Sequence, residues 1–513
     1  MSGRFVLVLH SHLPYVLGKG RWPFGEEWLH EIVLDTYLPL LEELQALDRD
    51  GVTGSIAIGL TPILMEQLKS PVYAPSFRAW TSTKQAELVL DASRLGDASS
   101  EAMTLNAYYR KELERRIQQF DAIDGDIVAA FGELQAHGRI SVLTSCATHG
   151  YLPLFSNDES RRLQIRAGVT TYEHWMGRKP TGFWLPECGY LPGVERLLSE
   201  SGLRYFFADA SALDTTTHEL PSGYALLPTN EDAPWTPWNI GSGVAAFLRN
   251  PATSEQVWSR DRGYPGDGVY REFHRRAEGS GWQYWRITDK HMDMGEKQWY
   301  EPEAGKARAR EHARHFVGLV QDLCMQREAA TGDPGIVVAA YDTELFGHWW
   351  YEGPGWVSWV MRDLAAGGSV SACVPETVLQ ERTLPAGRLR ESSWGAGGGH
   401  ETWMNSETSW IWDVIHEDQR RFIRLVPSLS GDLGDMLLRE ILLEESSDWP
   451  FLITTGQARS YGMSRFLEHH RKVRALLAAA EGQPYNAVES DEQPDAVFGH
   501  LHLQNLRRPA CQN

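Results

Sequence analysis

Two carboxylates, each following a short apolar run and each bordered by aromatic residues, are the candidate chemical groups of this chain. Asp342 ends the run GIVVAAYD and is followed by His348 and Trp349, whereas Glu187 follows TGFWLP, which contains Trp184. A pyranose ring has polar hydroxyls at its edge and apolar faces, so carboxylates beside flat aromatic side chains are typical of carbohydrate sites. Paired carboxylates are also what a retaining glycosidic cleavage requires.

The two acids of such a pair must differ in pKa, because one is ionised when it attacks and the other holds a proton for the leaving oxygen. Asp342 lies near Phe346, Trp349 and Trp350 in sequence, so we expect its pKa to be the raised one. The residues alone leave the two roles open.

His10 and His12 lie on the same side of an extended segment, at the end of the first apolar run. Such a pair could bind zinc, as in barrel metallohydrolases, or donate to sugar hydroxyls, or serve only the structure. Zinc would need further nitrogen or carboxylate ligands after later strands. The positions there carry Asp209 and Arg249, and an arginine is a poor neighbour for a cation, so the sequence favours sugar binding over metal.

Short apolar runs that alternate with helical or loop segments must position these groups, and such alternation predicts an α/β fold with a parallel sheet. Polar residues follow most of the runs, as His149 follows the third. In a parallel barrel the carboxyl ends of the strands share one face, where active sites lie. The pattern therefore predicts an incomplete, TIM-like (β/α)7 barrel with strands at 4–9, 53–58, 139–144, 181–186, 203–208, 244–249 and 335–340, and a less regular run at 369–374.

We expect residues 1–391 to form the catalytic barrel, with helical insertions at about 84–137 and 250–332. Helical spacing dominates after an aromatic-bearing junction at 392–405. Residues 392–513 are therefore predicted to form an all-helical C-terminal domain that contributes aromatic residues to the cleft.

The amino-acid composition indicates which binding partners and which cellular compartment to expect. A formal net charge of -19 disfavours nucleic acid and anionic membranes, which an acidic surface repels. The five cysteines are scattered without paired spacing, so neither a disulfide framework nor a cysteine zinc site is expected. With no leader-like or membrane-spanning run, a cytoplasmic protein is predicted. The oligomeric state, monomer or dimer, is left open.

Five long motifs resemble glycoside hydrolase family 57, and they occur in the order of that family's pattern. They are HSHLPY at 10–15, GLTPIL at 59–64, FWLPECGY at 183–190, AAYDTELFGHWWYEG at 339–353 and TWMNSETSWIW at 402–412. The later segment SSDWPFLITTGQARSY at 446–461 looks like the α-glucan branching enzyme subgroup.

The resemblance implies a retaining mechanism without metal or cofactor, with Glu187 as nucleophile and Asp342 as general acid/base. It also implies an α-1,4-glucan substrate, such as amylose or a glycogen-like polysaccharide, and transfer to a glucose 6-hydroxyl. The predicted sugar contacts are His10, His12, Trp22, His149, Trp184, Asp209, Arg249, Trp258, His348, Trp349, Trp403 and Trp412.

Water exclusion decides whether such an enzyme transfers or hydrolyses. Trp235 and Trp238 occur in the turn-rich segment 228–241, so we expect an aromatic lid there, where branching relatives commonly carry a tyrosine. The alternatives are an α-1,4-glucan hydrolase or a 4-α-glucanotransferase of the same family. More distant alternatives are a zinc-dependent amidohydrolase or deacetylase and a catalytically silent glucan-binding protein.

Overall fold

A curved sheet forms the centre of the molecule. The computed structural model describes residues 2–21, 24–52, 56–95, 99–213, 233–259, 261–484 and 497–507. Within these residues the strands are β1 (Gly3–Ser11), β2 (Ile56–Leu60), β3 (Ile140–Ser145), β4 (Gly182–Trp184), β5 (Tyr205–Asp209), β6 (Trp238–Asn239), β7 (Ala245–Arg249), β8 (Ile336–Asp342) and β9 (Val370–Ala372).

The strand order is β6-β7-β5-β4-β3-β2-β1-β8, and β9 pairs with β1. Every pairing is parallel except that of β6 with β7. No ladder joins β7 to β8 in the part of the chain that the structure describes, although the Asn250 backbone N–H donates to the Val338 carbonyl at 2.8 Å. The predicted incomplete barrel is thus confirmed, and the less regular run at 369–374 forms β9, an eighth parallel strand beside β1. The short antiparallel β6 was not predicted.

Helices connect the strands and cover the outside of the barrel, as expected for parallel strands. The first two, α1 and α2, are joined by a π-helical turn at Val33–Tyr37. The described helices are α1 (Glu26–Ile32), α2 (Leu38–Arg49), α3 (Pro62–Leu68), α4 (Tyr73–Leu95), α5 (Ser100–Ala122), α6 (Ile127–Ala136), α7 (Asp158–Met176), α8 (Val194–Glu200), α9 (Pro251–Trp258), α10 (Pro302–Thr331), α11 (Gly353–Ala365), α12 (Pro375–Glu381), α13 (Ser409–Leu425), α14 (Gly431–Glu444), α15 (Asp448–Thr455), α16 (Arg459–Ala480) and α17 (Leu503–Leu506).

The C-terminal helices share a hydrophobic core with the barrel. Phe183 of β4 and Phe206 of β5 belong to the same buried cluster as Trp412, Trp449 and Phe466 from α13, α15 and α16. Burying large aromatic side chains is the main source of stability at such a contact. The helical domain is therefore fixed against one side of the barrel. No described helix is long and apolar enough to cross a membrane.

Helix α7 approaches β3 closely at Gly168. A Cβ atom built on Gly168 would lie 2.0 Å from the Ser145 carbonyl oxygen, and the Thr144 hydroxyl donates to the Gly168 carbonyl at 3.1 Å. Because the nearest atom belongs to the backbone, a side chain cannot be accommodated by a rotamer change. Gly168 therefore sets the distance between this helix and the carboxyl end of β3.

We predict that Gly168→Ala lowers the free energy of unfolding by roughly 1–3 kcal/mol, as overpacking does. Gly318→Ala in α10 is the matched control, because a Cβ at Gly318 meets no atom within 4 Å. The control should be neutral or more stable by up to about 1 kcal/mol, since alanine is the better helix former. Thermal or denaturant unfolding compares the two variants, and equal stability would contradict the close approach of α7.

Candidate active site

Glu187 lies in a strained turn directly after β4. Its backbone is left-handed, with φ of 59° and ψ of 25°, and Cys188 also has a positive φ of 49°. Such conformations cost non-glycine residues about 1–3 kcal/mol each and persist only where surrounding contacts hold them. The turn aims a carboxylate into the carboxyl-end face of the barrel instead of continuing the strand.

Trp394 holds this turn in place. Its backbone N–H donates to the Glu187 carbonyl at 3.0 Å, and its indole Nε1 donates to Glu187 Oε2 at 2.8 Å. A donor to the ionised carboxylate favours the charged form. The junction between barrel and helical domain thus fixes both the main chain and the side chain of Glu187.

Three histidines form a stack beside Glu187. The rings of His12 and His149 lie 3.9 Å apart, and His149 Nε2 is 2.9 Å from His10 Nε2. His149 Nδ1 lies 3.7 Å from Glu187 Oε1 and 2.9 Å from the Ser447 hydroxyl, which donates to the same Glu187 oxygen at 3.4 Å. Burial, followed by the nearby charge of His12, lowers the pKa of His149 well below its usual value.

The pKa of His12 is shifted in the direction opposite to that of His149. Burial alone would lower its pKa, but the charge and hydrogen bond of Asp448 raise it above the usual value. Both carboxylate oxygens of Asp448 lie 3.0–3.1 Å from His12 Nε2. The His12 backbone N–H also donates to Glu344 Oε1 at 3.1 Å, and Tyr37 donates its hydroxyl proton to the same oxygen. Asp448 therefore favours the protonated imidazole of His12, which faces the carboxylates of this site.

Asp342 ends β8 beside His10 of β1, its partner in the ladder. Burial raises the pKa of Asp342 well above its usual range, the charges of Glu344 and Glu187 raise it further, and Arg249 lowers it. Burial also raises the pKa of Glu187 to about 7, against the effect of the Trp394 hydrogen bond. The raised pKa of Asp342 agrees with the sequence-based expectation, whereas that of Glu187 was not predicted.

Asp209 and Arg249 form an ion pair at the ends of β5 and β7, with Arg249 Nη2 2.8 Å from Asp209 Oδ2. The Arg249 guanidinium lies 5.6 Å from the centre of the Trp394 ring, the same residue that holds Glu187. The structure brings these predicted sugar contacts to the site, where they support Trp394.

Three predicted sugar contacts are core residues. Trp184, Trp403 and Trp412 are only 0–1% exposed. Trp184 lies under His10, with the two rings 4.6 Å apart, and Trp403 stacks on Tyr151 at 4.4 Å. Trp412 donates its indole proton to the Trp403 carbonyl at 2.8 Å. Because their faces are covered by protein, these indoles support the site from below and offer no platform to a sugar, contrary to the prediction.

Two other predicted contacts do present aromatic surface. Trp258 is 44% exposed at the end of α9, and Trp349 is 45% exposed beyond Asp342. Trp349 packs on Phe273 at 4.3 Å, while His348 is buried and donates its backbone N–H to the Thr36 hydroxyl. Of the remaining predicted contacts, Trp22 lies outside the described residues.

The structure contradicts the predicted lid at Trp235 and Trp238. Trp238 pairs with Ala246 near the amino end of β7, and Trp235 packs against Gly335, which directly precedes β8. Asp342 lies at the carboxyl end of this seven-residue strand, so about 20 Å of extended chain separates it from the amino end where Trp235 packs. The antiparallel β6 returns this segment to the opposite end of the barrel, a reversal that the turn-rich sequence did not indicate.

Several residues that were not predicted also lie at the site, in contact with the predicted ones. Trp394 lies in the junction that was noted only for its aromatic content, and Ser447 and Asp448 begin α15 or directly precede it. The segment at 446–461, singled out as a subgroup motif, was the available signal for the last two. Glu344 lies in the motif at 339–353, which was the available signal for it, whereas nothing local marked Tyr37.

The histidines do not form a group of metal ligands. In the described parts of the chain, the side chains that cluster with suitable ligand spacing are Asp418, Glu444 and His470 of the helical domain. His12 Nε2 instead faces Asp448, and His10 Nε2 faces His149. The ring nitrogens of His10 and His12 thus contact protein groups, and their binding to sugar hydroxyls stays a prediction.

Known families and relatives match this arrangement. A family model described as glycosyl hydrolase family 57 matches residues 6–390, and one described as 1,4-alpha-glucan branching enzyme, C-terminal, matches residues 415–505. A 1,4-alpha-glucan branching enzyme of Thermococcus kodakarensis is 42% identical over 503 residues, which is 93% of this chain and 73% of the relative.

Two solved structures are similar over nearly the whole chain. A family 57-type branching enzyme from Pyrococcus horikoshii has a TM-score of 0.90 and 39% identity, covering 99% of this chain and 97% of that one. The alpha-amylase AmyC of Thermotoga maritima has a TM-score of 0.86 and 28% identity, covering 99% and 100% of the two chains. With its barrel, paired carboxylates and matched domains, the chain belongs to glycosyl hydrolase family 57.

Proposed function

We propose that the chain is a 1,4-α-glucan branching enzyme. In this reaction a retaining transglycosylase cleaves an α-1,4-glucan and transfers the released segment to a glucose 6-hydroxyl, forming an α-1,6 branch. The substrate class follows from the similar branching enzymes. The residue roles are those that the resemblance to family 57 implies, and the contacts at the carboxyl ends of the strands support them.

The main support for this proposal is a contact between the C-terminal helices and the residues around Glu187. The residues that match the branching-enzyme C-terminal model supply Ser447 and Asp448 to the same centre as Glu187. Ser447 donates to the Glu187 carboxylate, and Asp448 raises the pKa of His12. The part of the chain that matches branching enzymes is therefore part of the catalytic centre as well as of the scaffold.

Glu187 acts as the nucleophile in the first half of the proposed reaction. Its carboxylate attacks the anomeric carbon while Asp342, kept protonated by its raised pKa, gives its proton to the leaving glycosidic oxygen. The Trp394 hydrogen bond and the positive charge of protonated His12 both lower the pKa of Glu187 and so favour its ionised form. The product is a β-linked glucosyl-enzyme and a shortened glucan.

Asp342 acts as the base in the second half. It takes a proton from the 6-hydroxyl of an acceptor glucan, whose oxygen then attacks the anomeric carbon and displaces Glu187. Two inversions restore the α configuration. Water in place of the acceptor would give hydrolysis, the reaction of the structurally similar alpha-amylase.

The deciding experiment is incubation with amylose, followed by separate counts of new α-1,6 linkages and new reducing ends. A branching enzyme forms α-1,6 linkages with few net reducing ends, since each cleavage is followed by transfer. Reducing ends without α-1,6 linkages would identify a hydrolase, and redistribution of α-1,4 chain lengths alone would identify a 4-α-glucanotransferase.

We further propose that the product is a glycogen-like polysaccharide made in the cytoplasm. The described cysteines Cys146, Cys188, Cys324 and Cys373 are all buried free thiols, a state that suits a reducing compartment. The net charge of -19 suits a neutral substrate.

We predict that the two acids respond differently to the donor. Asp342→Asn should abolish activity on amylose yet retain attack on a maltosyl fluoride donor, because a fluoride leaving group needs little protonation. Glu187→Gln should lose both activities, since an amide cannot form the glycosyl-enzyme. Initial rates with both donors make the comparison. If the asparagine variant loses both activities equally, the acid role of Asp342 is wrong.

We predict that Trp394→Phe moves the acid limb of the kcat/KM profile to higher pH by about 1–2 units. A hydrogen bond to a carboxylate contributes about 1.5–3 kcal/mol, and one pKa unit corresponds to about 1.4 kcal/mol. The Trp394 indole lowers the pKa of Glu187, so its loss raises that pKa, and the nucleophile becomes protonated at a higher pH. The alkaline limb should stay in place. An acid limb that stays at the wild-type pH would contradict this role.

We predict that Trp349→Ala raises KM for amylose about 2- to 10-fold, because aromatic stacking contributes about 0.5–1.5 kcal/mol. Trp235→Ala is the control at the other end of the barrel. It should leave KM and the ratio of α-1,6 linkages to reducing ends unchanged, although it removes packing at Gly335. A changed product ratio in the control would restore the lid hypothesis.

A further inference from the structure

A cavity of about 430 Å³ lies outside the barrel, between α2, α5, α10 and α11. Its size is within the range of about 300–1,000 Å³ that is typical of small-ligand sites. Neither catalytic acid lines it, and Leu34 and Asp35 separate it from Tyr37, which faces Glu344 on the active-site side of the π-helical turn. The cavity is therefore distinct from the site described above.

The cavity has a buried floor and an exposed rim. Arg271 on the floor is only 4% exposed, its guanidinium lies 3.9 Å from the centre of the Tyr351 ring, and it donates to Asp35 at 3.0 Å. The Tyr351 hydroxyl lies 3.2 Å from the Tyr108 hydroxyl. These contacts hold the two phenol rings in fixed positions before any ligand arrives, which lowers the entropic cost of binding.

The charges that line the cavity balance. The lining contains five acidic residues, Asp35, Glu43, Glu112, Glu303 and Glu352, and five basic ones, Arg115, Arg116, Arg271, Lys306 and Arg310. A strongly anionic or cationic ligand therefore gains nothing from the net field. A purely apolar ligand would remove water from these charged groups without offering them hydrogen bonds in return.

Aromatic side chains complete the lining. They are Tyr108, Tyr109, Trp282, Tyr300, Tyr351 and Trp359. Aromatic rings beside many hydrogen-bonding groups suit a neutral ligand that has both apolar faces and a rim of hydroxyls, which is the chemistry of a sugar ring. Arginine and carboxylate pairs can hydrogen-bond adjacent hydroxyls from both sides.

We infer that this cavity is a second α-glucan-binding site, which retains a segment of the polymer away from the catalytic acids. The sugar class follows from the lining, whereas the choice of α-glucan rests on the proposed function. Retention at a second point raises the local concentration of chain segments at the active site, as in other bivalent binding.

The test uses β-cyclodextrin, a cyclic α-1,4-glucan without chain ends, as the probe in calorimetric titrations of the full-length enzyme. Tyr108→Ala removes one of the two fixed rings and should weaken binding at least tenfold. Arg310 is an exposed rim residue whose guanidinium lies 4.2 Å from the centre of the Trp359 ring, so Arg310→Ala should weaken binding several-fold without endangering the fold. Arg314→Ala, exposed on the same helix but not part of the lining, is the matched control and should bind like the wild type.

Wild-type affinity in both cavity variants, or no binding of β-cyclodextrin to the wild type, would overturn the inference. Thermal unfolding of the Tyr108 variant separates lost binding from lost folding, and the Arg310 variant decides the question if the first variant unfolds. The α-1,6 linkage assay on the wild type is independent of these titrations. If it fails while the cavity variants lose binding, the proposed reaction is wrong and the glucan site stands.

Discussion

The paired hydrogen bonds between Trp394 and Glu187 are the constraint on which the catalytic centre depends. They hold a left-handed turn that an acidic residue would not adopt alone, and they favour the ionised carboxylate. Arg249 lies over the Trp394 ring, so the ends of β5 and β7 are linked to Glu187 through the same indole. Removing the Trp394 contact would release a strained backbone and also change the pKa of Glu187.

The helical domain completes the catalytic face instead of merely covering the barrel. Asp448 raises the pKa of His12, and Ser447 contacts Glu187. Phe466 and Trp449 bury against residues of the barrel in one hydrophobic cluster. The same contact surface therefore contains both the hydrophobic packing and the polar groups of the site. A barrel expressed without the helical domain would lose Asp448, which raises the pKa of His12.

Much of the fold and the paired acids could be predicted from the sequence, because their signals are local. Each strand is an apolar run, and Glu187 and Asp342 each end such a run. Trp394, Ser447 and Asp448 reach the site through contacts between residues far apart in the chain, which no periodicity reveals. The exposure of individual tryptophans was also not predictable from the sequence. The same residue type forms exposed surface at Trp349 and core at Trp403, Trp412 and Trp184, so burial had to come from the structure.

In the described part of the chain β7 and β8 form no ladder, and the backbone hydrogen bond from Asn250 to Val338 bridges the two strands. Trp235 packs at the amino end of this seam, against Gly335, and α9 covers β8 where the Tyr341 hydroxyl donates to the Thr253 carbonyl at 2.8 Å. Exposed strand edges invite pairing with another molecule. Trp235 and α9 thus cover a strand edge that would otherwise be open to pairing with another molecule.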